Sequence, residues 1–149
     1  MATPEIRTAI VERVIAHPPE KIWRALTQPH LIEEWLMKSD FRPEKGHKFT
    51  FRNTPKPDIN VVVDCEVLAV EPNRTLTYSW SAYGLDTTVT FTLEPTPAGT
   101  IVRMEQTGFR PEHNLAYKGA MASWKQFMAR LDQVVADLDK RPQDTSETE

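Results

Sequence analysis

Few side chains in this chain stand at the spacings that catalysis or metal binding requires. The four histidines, His17, His30, His47 and His113, stand far apart in sequence. None is four residues from another or near a cysteine, so no zinc-type ligand set forms. They read as turn and helix-end residues. Cys65 is the only cysteine. It falls in a strand-like run, where a lone thiol serves as a small apolar core residue unless a base stands beside it. Gly46, Gly84, Gly99, Gly108 and Gly119 are scattered, so there is no phosphate-cradling loop. Ser79, Ser81 and Ser123 lack the glycine flanks of a nucleophile elbow. Asp64 and Glu66 share a strand face, but it reads as the outer face, and surface charges are the simpler reading than an acid–base pair. Neither a metal nor a cofactor is expected. What remains is a set of bulky side chains with polar tips: Tyr78, Trp80, Gln106 and Tyr117.

These residues have to be positioned by recognisable elements. Ile6 to Ala16 reads as a strand rich in β-branched residues. His17-Pro18-Pro19-Glu20 ends it and opens a helix over about Pro18 to Leu26, with proline and an acid in the first turn. A second short helix covers Pro29 to Trp35. Ser39 to Gly46 reads as a loop, and His47 to Arg52 alternates with Phe49 and Phe51 on one face. The two prolines in 53–58 mark a turn. Strands follow at Ile59 to Val70, Thr75 to Ala82, Leu85 to Glu94 and Thr100 to Thr107. Tyr83-Gly84 and the loop Pro95 to Gly99 join them. Short connections favour an antiparallel meander. The last helix spans about Glu112 to Leu138. Leu115, Tyr117, Met121, Trp124, Phe127, Met128, Leu131, Val134, Val135 and Leu138 recur at three- and four-residue steps, forming one apolar stripe.

Strand register then gives an inner face. Phe49, Phe51, Val63, Cys65, Leu76, Tyr78, Trp80, Phe91, Met104 and Gln106 point one way, toward Tyr117, Met121 and Trp124 of the last helix. Between strands and helix there is either a cavity with apolar walls and a few polar anchors, or a dry core whose polar tips bond to backbone or water. Trp35, Leu36 and Met37 form a lid or anchor the small helices. Glu33 and Glu34 either line the mouth or lie on an exposed helix face. Lys118, Lys125 and Arg130 fall on the solvated side of the last helix, and Arg103 and Glu105 on the outer sheet face.

Composition narrows the class of protein. The chain has 149 residues, 40% hydrophobic and 26% charged, with net charge −3 and pI about 5.8. These values suit one soluble domain, drawn at residues 1–140, with a disordered polar tail at 141–149. The acidic balance argues against nucleic acid as a partner. No apolar run reaches the ~20 residues that would span a bilayer, so no membrane partner is expected. A single cysteine and no signal-peptide core make the cytoplasm the default location.

Several segments together resemble the AHSA1-like (activator of Hsp90 ATPase homologue) family of the SRPBCC, or START-like/Bet v 1-like, superfamily. They are Val11-Glu12-Arg13-Val14-Ile15, Pro19 to Thr27, Glu34-Trp35-Leu36 and Gly46-His47-Lys48-Phe49. Further on come Glu66-Val67-Leu68, Glu71 to Trp80, Gln106-Thr107-Gly108-Phe109 and the Trp124 helix. The resemblance covers about Ile6 to Leu138. It implies an α+β helix-grip fold: a curved antiparallel sheet of about six strands around a long C-terminal helix, with two short helices after strand one. Relatives often hold a deep hydrophobic cavity there. Gln106 stands where many relatives have histidine, and Gln cannot serve as a general base near neutral pH. Ser123-Trp124 stands where many have Gly-Trp.

The first expectation for function is binding of a small hydrophobic or amphipathic molecule between sheet and helix, with Gln106 and Tyr78 orienting its polar groups. The alternative is a protein-interaction module with a co-chaperone-like role toward an Hsp90-type ATPase. A cyclase, dehydratase or hydrolase ranks last, because the inner register supplies no carboxylate or histidine. Monomer and homodimer both remain open.

Overall fold

The computed structural model describes residues 7–53, 61–82 and 84–138. Strand β1 (Arg7–Ile15) comes first, then helices α1 (Pro19–Thr27) and α2 (Pro29–Trp35). Strands β2 (Lys38–Ser39), β3 (Lys48–Arg52), β4 (Val62–Glu71), β5 (Thr75–Ala82), β6 (Leu85–Thr96) and β7 (Gly99–Phe109) follow. A 3-10 turn (Pro111–His113) leads into α3 (Asn114–Leu138). The strands form one antiparallel sheet in the order β1-β7-β6-β5-β4-β3-β2. Helix α3 packs on β1, β7, α1 and α2. This is a helix-grip architecture.

Both short helices begin at a proline, where the missing N–H costs nothing and φ is already helical. Gln28 closes α1 by donating its backbone N–H to Arg24 O (3.0 Å), and its own carbonyl then accepts from Leu31 N (2.9 Å) to start α2. The Trp35 indole N–H donates to Ala25 O at 2.8 Å, tying the two helices together. Trp35 is 1% exposed and Leu36 is also buried. Of the two readings of this segment, anchoring is the one the geometry has. Glu33 and Glu34 are exposed.

The strand alternation appears as an inner apolar face and an outer polar one. Val89, Phe91, Leu93, Val102 and Met104 are buried, whereas Thr88, Thr90 and Thr92 lie toward solvent. On the outer face Arg103 bonds Glu12 (2.7 Å) and Glu105 (2.6 Å), and these hydrogen bonds raise the already high pKa of the guanidinium. Next to Glu12 on β1, Arg13 reaches Asp132 of α3 at 2.8 Å. The lower half of α3 seals the core with Met128, Leu131, Val134, Val135 and Leu138, all buried. Each such side chain is worth roughly 1.5–3 kcal/mol of burial.

Several boundaries differ from the sequence reading. The sheet has seven strands, because Lys38-Ser39, at the start of the expected loop Ser39 to Gly46, pairs with Arg52-Phe51. The β6–β7 hairpin is tighter than Pro95 to Gly99, since pairing continues to Thr96↔Gly99. Gly99 has φ +136, and a Cβ there would lie 2.3 Å from Ile15 O, so the hairpin fits against β1 only without a side chain. The last helix starts at Asn114, after the 3-10 turn. Leu115 does not belong to the apolar stripe: it is 84% exposed, because the first turn of the helix turns it toward solvent. The register of β4 shifts between Val67 and Ala69, leaving Leu68 exposed. Ile6, the turn residues at 54–58, Ile59, Tyr83 and the tail at 141–149 lie outside the described residues.

Candidate functional site

The inner face of β3 to β7 gathers most of the expected wall residues. Cross-strand pairing sets Phe49 beside Cys65 and Phe51 beside Val63. Tyr78 stands between Val67 and Val89, and Phe91 between Leu76 and Met104. Around Tyr78 the ring centroids of Phe49, Phe51 and Phe91 lie at 5.3, 5.7 and 6.1 Å. Trp80 connects Phe51 (5.3 Å) to Trp124 of α3 (5.4 Å). Trp124 also meets Phe91 and Phe127. Edge-to-face and tilted contacts dominate, each adding about 0.5–1.5 kcal/mol beyond burial. Trp80 and Met121 are only partly buried, in contrast to Tyr78 and Trp124 at 2% exposure.

Phe41 joins this cluster and was not expected there. It is 2% exposed, with centroids 5.0 Å from Phe49 and 6.1 Å from Tyr78. One aromatic among Ser39, Asp40, Arg42 and Pro43 carries no periodicity to reveal it. Tyr117 takes a different place from the others. Its ring packs on Phe109 at 5.7 Å and lies under the Arg7 guanidinium, 5.4 Å away.

Gln106 is buried at 3% exposure and sits in a directional chain of hydrogen bonds. An indole N–H can only donate, so Trp124 Nε1 must face the Gln106 carbonyl oxygen, 2.8 Å away. The amide nitrogen then donates to Thr87 Oγ1 at 2.9 Å. Thr87 in turn donates to Trp80 O at 2.9 Å. Helix α3 is thus pinned to β7, β6 and β5 through one buried amide. Strand parity pointed Gln106 inward; Thr87, 4% exposed, was not singled out, although it stands two residues before Val89 and so shares the inner parity of that strand.

Tyr78 differs. Its ring is buried among Phe49, Phe51 and Phe91, and its hydroxyl is not one of the buried polar atoms left without a partner, which among the described residues are Gln28 Oε1 and Ser39 Oγ. Burial, with Cys65 nearby, raises its pKa well above the usual phenol value, so it stays a neutral donor. Burial also raises the Cys65 thiol well above its ordinary range, helped by the negative charges of Asp64 and Asp40. Among the described residues the buried polar side chains are Thr27, Thr87, Thr100 and Gln106. Among the described residues no group of three His, Cys, Asp or Glu converges as a metal set. No described helix is long and apolar enough to cross a membrane.

A curved antiparallel sheet gripping a long C-terminal helix over an aromatic inner face is the Bet v 1-like, or SRPBCC, class of fold. The family model described as "Activator of Hsp90 ATPase homolog 1-like protein" matches residues 16–136, and the chain belongs to that family. Its fold matches that of protein MLL2253 from Mesorhizobium loti with TM-score 0.81 and 57% identity, over 87% of this chain and 97% of that one. A protein from Rhodobacter sphaeroides is 28% identical with TM-score 0.77, over 90% and 99% of the two chains. Staphylococcus aureus SA2116, at 9% identity, still gives TM-score 0.80 over 93% and 98%, a likeness of fold alone. No curated protein matches the chain.

Proposed function

We propose that this protein binds a small hydrophobic or amphipathic molecule between the sheet and α3. The observation that carries the reading is the aromatic inner face, where Phe49, Phe51, Tyr78, Phe91 and Trp124 meet beside the only partly buried Trp80 and Met121. Phe49, Phe51, Trp80, Phe91, Met104, Met121 and Trp124 would be walls, with Val63, Cys65 and Leu76 behind them. Gln106 positions Trp124 instead of reaching the ligand, since its amide is already engaged on both sides. The partial burial of Trp80 and Met121 supports a mouth beside them.

Native mass spectrometry of freshly purified protein tests this. A reproducible mass adduct that is lost on solvent extraction and regained on adding back the extract is the expected result. Protein that shows no adduct, and takes none up from a hydrophobic extract of its host, would overturn the reading. The family description favours a second reading, a co-chaperone-like interaction module, for which the exposed Leu115 would be a contact point. That reading requires the protein to raise the ATPase rate of an Hsp90-type chaperone.

A further inference from the structure

We propose that the free edge of β1, with the groove between it and α3, docks an extended segment of a partner protein. That segment is apolar at alternate positions and carries a carboxylate for Lys125. The inference goes beyond the ligand reading, since none of the wall residues of that site lines the groove.

The first observation is an uncovered edge. Strand β1 ends the sheet, and among the described residues it pairs with β7 alone. In an antiparallel pair, alternate residues point their N–H and C=O groups away from the partner strand. A nine-residue end strand therefore keeps a row of them available to another chain. The opposite edge is guarded: β2 has only two residues, and its Lys38 is exposed. The middle of β1 lacks such guards. Ile10 and Val14 stand 39% and 55% exposed on it. Its two central charges are already engaged, Glu12 with Arg103 and Arg13 with Asp132.

The second is space beside that edge. A groove of about 420 Å³ opens between β1 and α3, lined by Ile10, Val11, Glu12, Arg13, Lys125 and Met128. Val11 and Met128 are buried and give it an apolar floor. The four lining residues of β1 cover about 13 Å of strand, which matches four residues of an added one. Main-chain bonds to the edge would hold the segment, and its alternate side chains would meet Ile10 and the floor.

The third is charge, which selects the occupant. Lys125 is exposed and enters no ion pair among the described residues. With Arg13 held by Asp132 and Glu12 by Arg103, Lys125 is the uncommitted charge among the lining residues, and it calls for a carboxylate. A second copy of this chain answers poorly. Its β1 carries Arg7, Glu12 and Arg13, a net positive strand that would set like charge against Lys125. An acidic segment of another protein suits both the edge and the cation.

Fluorescence anisotropy with a labelled peptide amide, Ser-Val-Thr-Val-Asp-Val-Thr-Val-Ser, tests the inference. It should bind about fivefold tighter than the same peptide with Lys in place of Asp. Lys125→Glu, at an exposed position, should reverse that preference. Methylating alternate backbone nitrogens blocks one edge of the peptide at a time. Of the two alternately methylated peptides, one should bind like the parent and the other at least ~10-fold more weakly. In nitrogen-edited NMR, the amide shifts should concentrate at Ile10 to Arg13 and around Lys125. Binding kept by both methylated peptides, or shifts centred on β2, would overturn the docking site. Equal binding of the Asp and Lys peptides would overturn the acidic partner. A protein that sediments alone as a dimer, and that the peptide dissociates, would make a second copy the occupant and sink the inference. So would the absence of binding by the Asp peptide at about 1 mM. The mass adduct that tests the ligand reading depends on none of these results.

Discussion

Replacing Gln106 with glutamate tests the buried hydrogen-bond chain through pH. A protonated carboxyl can copy the amide: its carbonyl accepts from Trp124 Nε1, and its O–H donates to Thr87 Oγ1, over distances that are now 2.8 and 2.9 Å. The carboxylate cannot donate to Thr87, and at a site 3% exposed it is costly to ionise. The folded-state pKa of the introduced carboxyl therefore lies above the unfolded value of about 4.3. With a folded value of about 7, well within the range of buried glutamates, the variant loses about 3.7 kcal/mol once ionisation is forced. The sign follows: the proton's contribution is whole below about pH 4.3 and disappears as pH climbs through about 7. Urea unfolding of wild type and Gln106→Glu from about pH 4 to about pH 8.5 measures this. The two should have nearly the same stability at the acid end and differ by roughly 3–4 kcal/mol at the alkaline end. Gln106→Leu, which leaves the Trp124 N–H unpaired, should instead cost about 1–3 kcal/mol at every pH. A glutamate deficit that does not change with pH would refute the reasoning, because it would mean that water reaches position 106.

Other perturbations probe other parts of the account. Gly99→Ala should destabilise by about 2–4 kcal/mol or prevent folding, since its Cβ would meet Ile15 O at 2.3 Å with φ +136. Gly119→Ala, where nothing lies within 4 Å of the new Cβ on an exposed part of α3, should stabilise by about 0.5–1 kcal/mol; both changes read out as thermal unfolding. Cys65 should react with a thiol reagent near pH 8 at least ~100-fold more slowly in the native state than in urea, given its burial and raised pKa. Trp35→Phe should cost about 1–3 kcal/mol by removing the bond to Ala25 O, with the effect in stability rather than in ligand affinity.

Much of the fold is legible because the deciding signals are local. Pro29 opens α2 and the apolar pattern ends it at Trp35, while threonines alternating with Val89, Phe91 and Leu93 reveal both the strand and its inner face. A two-residue strand such as Lys38-Ser39 has no period to detect and exists only because Arg52 and Phe51 present an edge to it. Leu115 misled because periodicity says which residues share a stripe but not where along its length the stripe stops being covered. The site was half legible. Parity aimed Tyr78, Trp80 and Gln106 inward, but the polar tips of Tyr78 and Gln106 looked equally available. Only three-dimensional proximity tells them apart: Gln106 meets Trp124, 18 residues away, and Thr87, 19 residues away, whereas Tyr78 is surrounded by rings. Phe41 lacked any pattern and needed the folded chain.

The central claim, that a ligand sits between sheet and α3, is tested most directly with methyl-labelled methionine. The chain has five methionines. Met104 on β7 and Met121 on α3 border the proposed site, while Met37 and Met128 lie beyond it. On titration with 2-acetylnaphthalene, the methyl resonances of Met104 and Met121 should shift and show intermolecular contacts to the naphthalene protons, with Met37 and Met128 nearly still. A saturating titration that leaves Met104 and Met121 unmoved, or shifts only Met37, would contradict the account.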